Sequence, residues 1–476
     1  MNKDNRVSSI LLILMTLLLW WGFMADPFQS ATFPLTLALI STFAGWILFR
    51  KQRSPEPLLL SVSGSLVALA IGWSWIYENI RNTQSLTGDV FRGVYTYHWS
   101  PLYAKPHEVG ANWWIGASMI VGVCLLLSIY HWSRRLVPLV SLILIGTGIL
   151  LLIPDGAWPP RGHFFTLTET LDTWSDWTLI LPEYVSRMKD LDTHSSHYPP
   201  GMFILAWLTG PSTLWTFLIN ILSTWLIALI AIRRTSLKWT DGTLVLLLIP
   251  GFLLIPAISP EGIPAILFFL SLLTFLDRER PPIEKGIFAG MFLWAGSLFS
   301  FFAFPVGFLL ILFIFLDPPG SLPRVLRTTL SLGITFVGLW TLFYLMTGYH
   351  YLEGLQMAIL QNRSLLGQPE TYDLGPYFVR STGNLLSFMV LSGPLLWSRS
   401  LLNGWTRSGM VYFIWLVLLS FSGLFFMETE RIWFLAYPLL FISLKRDGPI
   451  EWSEVLVGCW LILQITFHGD LGFGSM

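Results

Sequence analysis

The sequence predicts an all-α polytopic membrane protein, and three observations predict it. Of its 476 residues 54% are hydrophobic and only 12% charged, with a mean hydropathy of +0.64, whereas a soluble domain carries roughly 25% charged residues. Apolar stretches of about 20 residues, long enough to cross a bilayer, recur along the whole chain. Its 24 tryptophans and 35 phenylalanines suit bilayer interfaces, where aromatic rings accumulate. The balance of 28 basic and 28 acidic residues argues against nucleic acid as a partner. Cys124 and Cys459 both lie within apolar runs and behave as small core residues, with no disulfide framework or metal cluster.

At the N-terminus, MNKDNR precedes the apolar VSSILLILMTLLLWWGFM. That stretch is long and no clear small-x-small cleavage site follows, so it is expected to be a retained first helix. Beyond it, basic clusters mark the cytoplasmic connections. They are Arg50, Lys51 and Arg53; Arg134 and Arg135; Arg233, Arg234 and Lys238; and Arg278, Arg280 and Lys285. Later come Arg324 with Arg327, Arg399 with Arg407, and Lys445 with Arg446. With every cluster inside, spans fall near 8–25, 31–49, 57–77, 113–131 and 136–153. The next are 211–232, 242–258, 262–276, 286–300, 302–316 and 328–346, then 385–398, 408–426, 432–444 and 452–468. The expectation is about 13 to 15 transmembrane helices, with the N-terminus cytoplasmic and the C-terminus external. The chain divides into N-terminal helices (1–153), an external loop (154–210), a central bundle (211–346), a second loop (347–384) and C-terminal helices (385–476). The polar connections 78–112, 154–210 and 347–384 then all lie outside, with METERIW (427–433). Such convergence on one face is what an enzyme with an external active site requires.

The loop 154–210 is the richest in chemistry. It carries Glu169, Asp172, Asp176, Glu183, Asp190 and Asp192, then His194, His197 and Tyr198 ahead of Pro199-Pro200-Gly201. The spacing of Leu181, Val185 and Met188 predicts a short amphipathic helix on the membrane surface, and 201–210 a juxtamembrane helix. The alternative is an ordinary solvated loop punctuated by proline and glycine. Asp190-Leu191-Asp192 has the acid-x-acid form that holds a divalent cation, Mg or Mn, against a phosphate, although such triplets are common by chance. Glu428, Glu430 and Arg431 sit between two apolar spans, where charges usually face a cavity and have partners. The planar guanidinium suits a phosphate or carboxylate; the alternative is snorkelling at a helix end.

After Gly348, the residues His350, Glu353 and Met357 share a helix face, with Gln361 and Arg363 at its end. Tyr377, Arg380 and Asn384 follow. A surface helix covering the bundle explains this stretch equally well. Glu261 in ISPEG stands at a helix start, and SLFSFFAFP (297–305) forms a tight aromatic hairpin that either bounds an acyl-chain groove or packs. The first external loop, with Asp89, Arg92, His98 and His107, carries no motif.

In their order, these features resemble the multi-span GT-C glycosyltransferases, the superfamily of protein O-mannosyltransferases and the aminoarabinose transferase of lipid A. The likeness rests on an acid-bearing external loop ending in His-x-Pro-Pro-Gly (His197 to Gly201) and on Glu428-x-Glu430-Arg431-Ile432-Trp433-Phe434 with Pro438. It is strongest to bacterial members with a Thr-His-Pro-Pro-Gly turn, whose late loop carries an arginine and then an Asn-Leu-x-x-Phe helix start. Here Arg363 and Asn384-Leu385-Leu386-Ser387-Phe388 match that pattern. The resemblance spans roughly residues 150–445. It implies an enzyme of the bacterial inner membrane that moves a sugar from a polyprenyl-phosphate carrier to a glycan, lipid or protein acceptor outside. One of Glu169, Asp172 and Asp176 would be the general base. His194, His197 and Tyr198 would contact donor or acceptor. Arg363 and Arg431 would bind the leaving phosphate, with Glu428 and Glu430 orienting Arg431 or the sugar. The competing expectations are a flippase of a lipid-linked sugar, with inverted repeats and midplane polar groups, and a surface-polysaccharide polymerase or ligase.

Overall fold

The computed structural model describes residues 32–52, 55–83, 177–191, 198–209, 214–235, 248–365, 374–422 and 433–444, with the short positions 242, 245–246 and 457–458. Every named element among them is a helix, apart from one isolated bridge between Trp405 and Leu444. The chain is thus all-α, as its composition predicts. Among the described residues two helices, Leu214–Arg234 and Leu322–Thr347, are long and apolar enough to cross a membrane.

The helices are α1 (Thr32–Gln52), α2 (Pro55–Thr83) and α3 (Trp177–Arg187), which a 3-10 turn extends over Met188–Asp190. Then come α4 (Gly201–Thr209), α5 (Leu214–Arg234), α6 (Pro250–Ile258), α7 (Gly262–Leu276), α8 (Pro282–Ser297) and α9 (Ala303–Leu316). The last five are α10 (Leu322–Thr347), α11 (Tyr351–Leu365), α12 (Leu374–Asn403), α13 (Arg407–Ser420) and α14 (Ala436–Ile442). Eleven of the expected apolar segments coincide with helices. Those near 8–25, 113–131, 136–153 and 452–468 fall outside the described residues, except 457–458. Some bounds differ for local reasons. Helix α6 begins only at Pro250, whose fixed φ suits a first helical position. Helix α12 starts eleven residues before the apolar segment at 385, because the polar stretch ahead of it is helical too. Asn384, expected at a helix start, therefore lies inside α12, where it is buried.

The bundle forms as α7 packs antiparallel on α8, α8 runs alongside α10 in the same direction, α5 packs on α7, and α12 on α2. One core joins Phe217, Phe268, Phe313, Phe388, Trp415 and Tyr437 from six of these helices. Helices α8 and α10 approach closely. A Cβ at Gly290 would lie 2.7 Å from the Leu332 carbonyl oxygen and 2.9 Å from the Thr335 Cβ. Gly286, four residues earlier, meets Thr328 and Ser331 in the same way. This Gly-x-x-x-Gly face lets two backbones touch, as in membrane helix pairs.

The turns segregate charge. The α7–α8 and α9–α10 turns and the start of α13 share one end. There Arg324 donates to the Arg278 carbonyl at 3.3 Å, Ser408 donates to Asp317 at 2.9 Å, and Arg278 lies 4.0 Å from Asp317. Buried Lys285 donates to the Asp277 carbonyl at 3.1 Å over the Phe275 ring, locking the α7–α8 turn. Backbone and Arg280 hydrogen bonds hold the Asp277 carboxyl below its ordinary range. The opposite end carries the α6–α7, α8–α9 and α10–α11 turns and is rich in tyrosine. Replacing Gly290 with alanine pushes a methyl into the α10 backbone and should cost about 1–3 kcal/mol. A lowered thermal midpoint in detergent or nanodiscs checks this, and an unchanged one contradicts the close approach.

Candidate active site at the tyrosine-rich end

The turn ending in Pro199-Pro200-Gly201 is docked into the bundle. Tyr198, Pro199, Pro200 and Gly201 are all buried, so for these four residues the solvated-loop alternative fails. The Gly201 N–H donates to the Leu298 carbonyl at 2.9 Å, tying the start of α4 to the α8–α9 hairpin. A Cβ at Gly201 would run into that same carbonyl, so the approach requires glycine. On the other side the buried Tyr184 hydroxyl donates to the Tyr198 carbonyl. Proline cannot donate, so contacts through Gly201 N–H, the Tyr198 carbonyl and packing hold the turn.

Tyr198 then reaches a polar node inside an apolar shell. Its hydroxyl lies 3.4 Å from Ser259 Oγ and 3.4 Å from Glu261 Oε1. Ser259 Oγ is itself 3.4 Å from Glu261 Oε1. Glu261 is only 7% exposed and immediately precedes α7, where the partial positive charge of a helix N-terminus favours a carboxylate. Asn220 braces the node from α5: its Nδ2 donates to the Pro256 carbonyl at 2.9 Å and to the Ser259 carbonyl at 3.0 Å. Burying a carboxylate is costly without donors or charge partners, and such groups concentrate at functional sites.

Next to the node lies an aromatic cluster. The Tyr184 ring meets Tyr349 edge-on at 5.6 Å and Phe203 at 5.9 Å. Tyr351 stacks on Trp340 at 4.3 Å, and the hairpin aromatics Phe301 and Phe304 reach Tyr351 at 5.4 and 5.9 Å. The α8–α9 hairpin thus packs against this cluster, as the packing alternative expects. Helix α3 turns its apolar face onto the cluster: Leu181, Tyr184 and Met188 are buried. Its outer face carries the exposed Glu183–Arg187 pair at 2.6 Å. Helix α11 covers the same end, and Gln361 Nε2 donates to the Met188 carbonyl at 2.7 Å. Burial pushes the Tyr184, Tyr349 and Tyr351 hydroxyls far above the ordinary phenol range.

Of the residues singled out in the sequence, Tyr198 enters the node and Arg363 lies in the last turn of α11. Asp190 is exposed at the end of the 3-10 turn. Glu169, Asp172, Asp176, Asp192, His194, His197, Glu428, Glu430 and Arg431 lie outside the described residues. Among the described residues no group of three or more His, Cys, Asp or Glu side chains could hold a metal ion. His350 and Glu353 are half exposed and 3.8 Å apart. Sequence reasoning missed Ser259, Asn220, Tyr184, Tyr349 and Tyr351. Asn220 left a signal, a lone amide within the apolar LWTFLINILSTWL, since polar groups inside spans are rarely idle. The chain matches no family model, no curated protein and no solved structure.

Alanine at Gly201 should undock the turn and cost about 1–3 kcal/mol by forced backbone movement, seen as a drop in thermal midpoint. The tyrosines give a pH signature. Their folded values lie above the unfolded value of about 10, so their stabilisation is complete below that pH. It is lost progressively as pH rises from there towards the folded values. Titration followed at 295 nm should leave these phenols un-ionised until the protein unfolds; early ionisation would contradict their burial.

Proposed function

We propose that the chain is a polytopic membrane glycosyltransferase that moves a sugar from a polyprenyl-phosphate carrier to an acceptor on the extracytoplasmic face. The observation that carries this reading is the buried Tyr198–Ser259–Glu261 node. It follows directly on His197, at the end of the bundle opposite the arginine-bearing turns. If those turns face the cytoplasm, as basic connections do, the node faces outward in a bacterial inner membrane. Two spanning-length helices and the Gly-x-x-x-Gly contact support a membrane setting, and the shorter apolar helices α7, α9 and α13 complete the proposed multi-span bundle.

In this scheme one of Glu169, Asp172 and Asp176 takes the proton from an acceptor hydroxyl as its oxygen attacks the anomeric carbon. The anomeric C–O bond breaks, and its electron pair leaves with the carrier phosphate. Arg431 and Arg363 receive that phosphate, with His194 or His197 donating to it, and Glu428 and Glu430 orient Arg431 or the sugar. Tyr198 positions the histidine-bearing turn from the node. Asp190 and Asp192 are the residues that would hold a Mg or Mn ion, which would supply charge neutralisation at the phosphate.

A flippase is the second reading, favoured by the break in α12. Gly393 adopts φ 79° ahead of Pro394, a discontinuous helix of the kind transporters use. One experiment separates the two. The protein in proteoliposomes is given radiolabelled polyprenyl-phosphate sugars, alongside Glu169→Gln, Asp172→Asn, Asp176→Asn and Arg431→Ala variants. Release of sugar from the carrier by wild type, falling by about 10²-fold or more in one acid variant and in the arginine variant, is the expected result. Labelled carrier that crosses the bilayer intact, with no release, replaces the transferase with the flippase.

A further inference from the structure

Helix α10 gives one face to the bundle and leaves the other open. Thr328, Leu332 and Thr335 meet Gly286 and Gly290 of α8. On the far side Leu326, Leu330, Ile334 and Val337 are each more than half exposed. They recur every three or four residues and so form one stripe. Gly333 and Gly338 interrupt it, and a Cβ at either would meet nothing within 4 Å. The missing side chains hollow the stripe into an apolar groove of about 710 Å³ that runs from Leu326 to Gly338. Those twelve steps along the helix span about 18 Å at 1.5 Å per residue. One leaflet of a bilayer's hydrocarbon core is about 15 Å thick, so the groove has the length of a single acyl tail.

Charge at one end of the groove selects the head that goes with the tail. Arg327 follows Leu326 directly and is exposed; among the described residues its guanidinium has no ion-pair partner. Helical side chains lean towards the N-terminus, which carries Arg327 outwards past the mouth of the groove. Exposed Arg324 lies one turn earlier, and the start of α10 adds partial positive charge. The acids of this end are already engaged, Asp277 by Arg280 and Asp317 by Ser408 and Arg278. A second copy of the chain docked here in the same membrane orientation would bring two Arg327 charges together, which repel.

We propose that the groove and Arg327 bind one anionic phospholipid of the leaflet at the arginine-bearing end. Its acyl tail lies along α10 and its phosphate meets the Arg327 guanidinium, whose planar fork suits two phosphate oxygens. A zwitterionic lipid carries its own cation beside that phosphate, so it competes with the arginine. The inference rests on the membrane setting of the proposed function and on nothing in the transfer reaction.

The test uses full-length protein in nanodiscs of phosphatidylcholine or of phosphatidylglycerol, each with a trace of phosphatidylglycerol bearing a diazirine on its acyl tail. Labelled peptides are mapped by mass spectrometry. Label should fall within residues 326–338 and drop about fivefold when the host lipid becomes phosphatidylglycerol, the effect of one arginine at an anionic surface. Arg327→Ala should make the two hosts equivalent. Gly333→Leu fills open space, so it should keep the thermal midpoint of wild type and lose the label in both hosts. Label outside 326–338, equal label in the two hosts for wild type, or a host preference unchanged in Arg327→Ala overturns the site. A cross-link joining two chains through 326–338 also overturns it, in favour of a second copy. Carrier turnover without this labelling would defeat the inference and leave the transferase intact; labelling without turnover would do the reverse.

Discussion

At two breaks in this bundle, ahead of α7 and within α12, a buried side chain answers the carbonyl that the break releases. Pro260 has no N–H to offer the Pro256 carbonyl, and Asn220 donates to it instead. In α12 the backbone turns out of the helix at Gly393, and Trp397 Nε1 reaches the released Met389 carbonyl at 3.0 Å. Trp415 Nε1 donates to the Pro305 carbonyl at 2.8 Å, tying α13 to α9. An apolar setting supplies no water to these groups, so an unanswered carbonyl would cost several kcal/mol. An amide and an indole let the bundle carry these two breaks.

That constraint also builds the candidate site. Asn220 serves two carbonyls around the α6–α7 break, which fixes where Ser259 and Glu261 stand. The glycines complete the arrangement by letting backbone meet backbone, at Gly201 against Leu298 and at Gly290 against Leu332. Rigid contacts at these points hold the tyrosine-rich end as a platform, while α3 and α11 lie across it joined through Gln361 and Met188.

The two ends of the bundle differ in kind. The end with Arg278, Arg280 and Arg324 is stitched by charge and backbone carbonyls. The other, among the described residues, is stitched by phenols, indoles and the buried Glu261 carboxylate. A single connection cannot create that asymmetry; it arises because antiparallel helices of similar length return alternate turns to the same end.

The sequence by itself determined the helical class, the run of apolar segments, the amphipathic α3 and the start of α4. Periodicity and composition are local, and burial of apolar faces follows from them whatever the partner. The alternation of arginine clusters likewise anticipated which turns would meet. Only the tertiary structure decided that Pro199-Pro200-Gly201 is buried, that Glu261 and not a neighbouring acid closes a node with Tyr198, and that Tyr349 and Tyr351 lie under a helix. Those facts join residues 63 positions apart in Tyr198 and Glu261 and 173 apart in Met188 and Gln361. No local pattern encodes such pairings. They depend on which helix faces pack, and that is settled by glycine contacts and released carbonyls distributed over the whole chain.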